Sequence, residues 1–131
     1  MAKYLQGVFK PKNASKYIGD KAPIYRSGWE FKFMQFLDTN VSILNWASEA
    51  IAIPYLNPIK NRAALYYPDF IIIYVDKNGL QHREIVEIKP LSQTILEKAK
   101  RPSDRLAIAV NYQKWIAAKK FAEQNRMTFR I

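Results

Sequence analysis

Apolar positions along the chain switch between two periods, and the switches mark its elements. "FIIIYV" at 70–75 is an unbroken apolar run and reads as a strand covered on both faces. "LQHREIVEIK" at 80–89 alternates and reads as a second strand. Between them lies "KNG", whose Asn78-Gly79 is a hairpin signal. Upstream, residues 27–39 repeat at helical spacing, with Trp29, Phe33, Phe36 and Leu37 expected on one face. The alternation Ala47, Glu49, Ile51, Ile53 suits a strand ended by Pro54, followed by a loop with Asn57, Pro58 and Asn61. Past Pro90 the period becomes helical again. "LSQTILEKAK" suits one helix, and Pro102 opens another at its first position that runs to about Gln124. Leu106, Ala109, Val110, Gln113, Ile116, Ala117 and Phe121 follow one face of it. "RMTFRI" closes the chain as a strand. Strand, long helix, strand implies a crossover that lays this last strand parallel to residues 85–89. The expected class is α/β, a mixed sheet flanked by helices.

Residues 1–25 show no clear period, contain Pro11, Gly19 and Pro23, and read as an extended or loosely ordered basic N-terminal arm. Residues 26–131 read as a single domain, and 131 residues suffice for a core without metal or disulfide staples. Cysteine is absent, which fits a reducing compartment and excludes thiolate chemistry. The single histidine, His82, reads as a solvated strand residue and leaves a histidine-rich zinc site or a Ser-His-Asp triad without its parts. A phosphate-binding Gly-x-x-x-x-Gly-Lys-Ser/Thr loop is missing, as is any apolar run of membrane-spanning length. The start of the chain lacks the apolar core of a signal peptide, so a cytoplasmic setting is expected. The net charge of +10 points to a polyanionic partner. It gathers in Lys3, Lys10, Lys12, Lys16, Lys21 and Arg26 at one end and in Lys114, Lys119, Lys120, Arg126 and Arg130 at the other. Tyr4, Tyr17 and Tyr25 are either stacking groups for bases or buried rings.

Carboxylates and lysines are then the chemistry that remains. Residues 69 and 87 are equidistant from residue 78 in the turn, so the hairpin brings Asp69 and Glu87 opposite each other. Glu87 and Lys89, two apart on a strand, project to one face, while Val86 and Ile88 point into the core. Two neighbouring carboxylates repel unless a cation joins them or one takes up a proton. Mg²⁺ is the natural occupant, with Mn²⁺ as a substitute. Beside it, Lys89 would serve an attacking water or neutralise charge on phosphate. The alternative is a plain cross-strand ion pair on a solvated face. Glu30 is a third acid with two competing roles: it completes a capping box with Ser27, or it projects towards the metal.

These residues resemble the PD-(D/E)XK nuclease superfamily. Pro68-Asp69 is similar to its first motif element, Glu87-Ile88-Lys89 to its second, and Glu30 to the acid on the preceding helix. The frame "YRSGWE", "IPY", "YYPDF", "EIVEIKP" resembles the TnsA-type endonuclease branch and, closer still, the head completion nucleases of T4-like phages. The resemblance covers nearly the whole chain. It implies a restriction-endonuclease-like core over 26–131 and catalytic residues Glu30, Asp69, Glu87 and Lys89. It also implies Mg²⁺ held by Asp69, Glu87, the Ile88 carbonyl and Glu30. The implied activity is metal-dependent DNA endonuclease, acting after packaging in phage head completion, in the host cytoplasm and on the virion. DNA is the expected partner, with Lys10, Lys12, Lys16, Arg26, Gln113 and Lys114 as contacts, together with head or neck proteins. The Gln-x-x-x-Tyr element of some branches is broken here, because Ala117 follows Gln113 at the fourth position. A DNA-binding component of the head without cleavage, and a restriction- or repair-type nuclease, are the alternatives.

Overall fold

The structure, a computed structural model, describes residues 6–90, 93–95 and 98–131. Four strands form a mixed sheet in the order β3-β6-β7-β8, built from β3 (Ile43–Ser48), β6 (Phe70–Val75), β7 (Gln81–Val86) and β8 (Thr128–Arg130). β3 and β7 run antiparallel to β6, and β8 runs parallel to β7, as the strand-helix-strand order requires. Two smaller ribbons complete the strands: β1 (Gly7–Val8) with β2 (Ile24–Tyr25), and β4 (Ile53–Asn57) with β5 (Arg62–Tyr66). Among the described residues the α-helices are α1 (Gly28–Thr39) and α2 (Pro102–Gln124). No described helix is long and apolar enough to cross a membrane.

Alternation along β6 and β7 sends side chains to two separate cores, one on each face of the sheet. Phe70, Ile72 and Val86 meet Met34 and Leu37 of α1, Trp46 of β3 and Phe9. On the other face Ile85 packs with Tyr66, Ile53 and the α2 residues Ala118 and Ala122. The two faces of β6 are covered unequally: Phe70 and Ile72 are buried against α1, while Ile71, Ile73 and Val75 are half-buried. The apolar run expected to be covered on both faces is thus fully enclosed on one only. The turn follows from Asn78-Gly79: Gly79 sits at φ +80 and the Asp76 side chain accepts from the Asn78 and Leu80 N–H groups. A left-handed φ at that position suits glycine because it has no Cβ to clash.

Several expectations are corrected. The single strand expected over 47–53 is two strands in different sheets, because the chain turns out of β3 at Glu49, whose φ is +48. Pro54 does not end a strand; it lies within β4, which pairs with β5. Residues 6–25 are docked, not loose: Phe9 enters the core and the Tyr17 ring packs 4.7 Å from Trp46. Aromatic burial outweighs the segment's charge. The expected helix at 91–100 lies partly outside the described residues. Those described there make i to i−3 bonds instead, from Gln93 N–H to Pro90 and from Lys98 N–H to Ile95. Both long helices keep part of the expected face, with Leu37 and Phe33 of α1 and Ala117 and Phe121 of α2 against the cores, and are rotated away from the rest of it. α1 buries Met34, Leu37 and Asp38 while Trp29 and Phe36 are exposed, and α2 buries Ile108, Asn111 and Ala118 while Leu106, Ala109 and Ile116 are exposed. His82 is half-exposed, as a solvated strand residue should be, and pairs with Asp76 at 2.8 Å.

Candidate active site

The pairing Phe70↔Val86 continues through Ile72↔Glu84 to Val75↔Gln81, so Asp69 and Glu87 are the next two residues beyond the joined ends of β6 and β7. They meet there. The Asp69 N–H donates to Glu87 Oε1 at 3.4 Å, and Asp69 Oδ2 accepts the Ile88 N–H at 2.8 Å. Glu87 is 4% exposed. Its backbone N–H donates to the Arg130 carbonyl at 2.9 Å, extending the β7–β8 pairing past the strand end and holding its position. Lys89 lies on the same side, with Nζ 3.3 Å from Glu87 Oε2. Ile88 points the opposite way, against the α1 core.

The other Glu87 oxygen receives a hydroxyl that the sequence did not single out. Tyr66, at the end of β5, donates to Glu87 Oε1 at 2.6 Å. Its ring also lies 5.5 Å beneath Lys114 Nζ of α2, and Tyr55 lies 5.8 Å from the same ammonium. Both rings are within reach of a cation–π attraction. Desolvation and the nearby Lys89 push Lys114 below its ordinary value, while Glu87 and Asp69 offset part of that. Burial drives Tyr66 upward, and the Glu87 charge adds to the rise, so it stays a neutral donor.

Electrostatics single out Asp69. Burial, then repulsion from Glu87, pushes its carboxyl from 3.8 to about 7. The Ile88 N–H and Lys89 resist that shift, and Glu30 adds to it. Glu30 makes half of the expected capping box: its N–H donates to Ser27 Oγ at 3.2 Å, while its carboxylate accepts from the Ser27 hydroxyl at 3.4 Å and from the Arg26 N–H at 3.3 Å, one residue before the cap. Desolvation raises its carboxyl as well. Among the described residues no group of three or more acidic or histidine side chains is arranged to hold a metal. The Asp69–Glu87 pair remains, and it fits Mg²⁺, which takes one or two carboxylates and fills its shell with waters and substrate phosphate.

Of the expected DNA contacts, Lys10 and Lys12 are exposed beside α1. Lys16 is engaged by the fold, its ammonium donating to the Asp38 and Asn40 carbonyls at the end of α1. Arg26 is tied to Glu49 by two bonds of 2.8 and 3.1 Å. Gln113 lines a different cavity, with Tyr112 and Ile95, whose lining does not include the acidic pair.

The chain is a nuclease of the restriction-endonuclease-like class: residues 40–131 match the TnsA-like endonuclease N-terminal family model, and the chain belongs to that family. The matched span holds Asp69, Glu87, Lys89 and Lys114, while α1 with Glu30 precedes it. Along nearly its full length the chain is also similar to the head completion nuclease of Enterobacteria phage T4, with 35% identity over 136 residues covering 95% of this chain and 88% of that protein. No solved structure matches this chain significantly.

Proposed function

We propose that the protein is a Mg²⁺-dependent DNA endonuclease that hydrolyses phosphodiester bonds during phage head completion, after the DNA is packaged. The observation that carries this reading is the meeting of Asp69 and Glu87 beyond the joined ends of β6 and β7, with Lys89 at 3.3 Å from Glu87. Such a pair is electrostatically short of one cation, as the raised Asp69 carboxyl also indicates. The relative named a head completion nuclease supplies the biological setting.

Asp69 and Glu87 would hold the metal, with the Ile88 carbonyl beside them, while Glu30, its carboxylate engaged by Ser27 and Arg26, would act on the site through its charge. When bound, Mg²⁺ would polarise the scissile phosphate and acidify the attacking water. The chain's own groups do the rest. Tyr66 and the Asp69 N–H fix Glu87 Oε1, so this carboxylate needs no reorganisation when substrate arrives. The Lys89 ammonium, held beside Glu87, orients the water and offsets negative charge building on the phosphate. Lys114, cradled on two rings, adds a second positive charge to the same side. The setting is the host cytoplasm during assembly, with DNA as substrate and head or neck proteins as neighbours.

The test is a plasmid-nicking assay with Mg²⁺ or Mn²⁺. Asp69→Ala should lower the rate by at least about 100-fold while thermal unfolding stays cooperative. Cutting by Asp69→Ala at the wild-type rate would remove the site. A wild-type protein that binds DNA yet never nicks it with any divalent ion would favour a non-catalytic DNA-binding role.

A further inference from the structure

α1 leaves its largest side chain outside the core. Trp29 is 58% exposed, whereas Trp46 is fully buried and Trp115 is half-buried, so Trp29 is the indole that faces solvent. Indole is costly to leave in water, because its large apolar area gains most from cover. Its surroundings say what that cover is.

Trp29 is in the first turn of α1, one residue before Glu30, and lines a cavity of about 520 Å³. Lys89 of the acidic site shares that cavity, together with Lys32, Ile88 and Pro90. A space of this size accepts a flat ring system. Lys32 and Lys89 are the basic groups of this lining and Glu30 its acid; Lys89 is also held 3.3 Å from Glu87, so Lys32 and the chain's net charge of +10 carry the attraction for an anion. A ligand that matches this lining carries a flat apolar ring on a negatively charged thread. A nucleic-acid strand has that chemistry; an acidic protein segment would meet the lysines but rarely present a ring at each step. Inside a continuous duplex the base faces are already stacked, so an indole reaches only a base that is unpaired or displaced.

We infer that Trp29 is a stacking platform for an unpaired base beside the phosphate that is cut. The preferred substrate is therefore DNA with unpaired nucleotides at the site, such as a single strand, a gap or a flap, and continuous duplex is the poorer one. The placement relative to the cut rests on the nuclease reading above; the stacking does not.

Binding in EDTA separates the two. A labelled oligonucleotide, single-stranded or annealed to its complement, is titrated with wild-type protein, Trp29→Phe and Trp29→Ala. Wild type should prefer the single strand and lose tryptophan emission on binding it. Trp29→Ala should reduce the ratio of single-strand to duplex affinity by about 5- to 150-fold. Trp29→Phe keeps a ring and should keep most of that ratio, while most of the emission change is lost with the exposed indole, Trp46 being buried and Trp115 half-buried. No single-strand preference in wild type, an unchanged ratio in Trp29→Ala, or an equal loss on both DNAs with native circular dichroism would each overturn the inference. Absence of Mg²⁺-dependent cutting alongside an altered ratio would instead remove the nuclease reading and leave the platform standing.

Discussion

Asp69 carries an unusual burden for a strand-end carboxylate. Its ordinary value is 3.8, and burial with Glu87 alongside pushes it to about 7. Between those values the folded protein holds a proton that the unfolded chain has released. Stability therefore falls as pH rises from about 4 to about 7 and stays lower above that window. Asn at this position would keep an acceptor for the Ile88 N–H without the charge. In EDTA, Asp69→Asn should melt above wild type by about 3–10 °C at pH 8, with the gap closing near pH 4. A gap that does not grow with pH would mean that the two carboxylates do not burden each other. The pair itself was legible in the sequence because Asn78-Gly79 sets the turn and the turn sets the register, leaving one arrangement for residues 69 and 87. Tyr66 was not legible. Its hydroxyl reaches Glu87 only because the chain breaks at Tyr67-Pro68 and lets β5 pair with β4, away from the main sheet, and no local pattern announces that. Lys89 follows from strand parity; the seating of Lys114 over two rings depends on the rotation of α2.

At the scale of elements, helix rotation was the part that periodicity misjudged. Of the expected stripe Trp29, Phe33, Phe36 and Leu37, the helix turns Leu37 and Phe33 to the core but leaves Trp29 and Phe36 exposed and buries Met34 and Asp38 instead. The reason is the segment at residues 6–25. Phe9 and Tyr25 pack edge-on against Phe31, at 5.9 and 4.8 Å, and so recruit a side of α1 that no window over residues 27–39 reveals. Asp38 is the anchor of that arrangement at the other end of the helix. It is 2% exposed, and its carboxylate accepts the Lys12 and Asn13 N–H groups at 2.9 and 3.0 Å. Asn13 Nδ2 and Lys16 Nζ both donate to its backbone carbonyl. A carboxylate buried on a helix would be a liability without these partners, and with them it clamps a basic segment to the domain. Asp38→Ala strands two backbone donors and should lower the unfolding free energy by about 2–4 kcal/mol in urea titrations. Asp38→Asn retains one acceptor and should recover part of the loss. Full stability in the alanine variant would mean that residues 6–25 are held by their aromatic rings alone.

Considered whole, the molecule divides its labour between the faces of one sheet. Glu87 and the Tyr66 hydroxyl belong to the α2 face, where the small α2 residues Ala118 and Ala122 let the helix lie close. The aromatic core lies on the α1 face, and α1 runs from Glu30, near the acidic pair, to Asp38, where the N-terminal segment is clamped. Those eight residues of rise amount to about 12 Å, several phosphates along a DNA backbone. Lys10 and Lys12, exposed at the far end, are thus separated from the cutting site by a span that bound DNA would have to cover. Lys16 and Arg26 carry the same sign but are committed to internal partners, so they contribute less to a phosphate path than their position in the sequence suggests. Phosphate contacts release counterions and act on every DNA alike, in contrast to a stacking residue, which discriminates by base pairing. The double variant Lys10→Ala/Lys12→Ala should flatten the slope of log affinity against log salt on duplex by about 1.8 and weaken single-strand and duplex binding together. Replacing Arg26 should leave that slope nearly as it is. If the double variant keeps the wild-type slope, the DNA path does not cross this end of α1, and the positive charge there serves solubility or a protein neighbour instead.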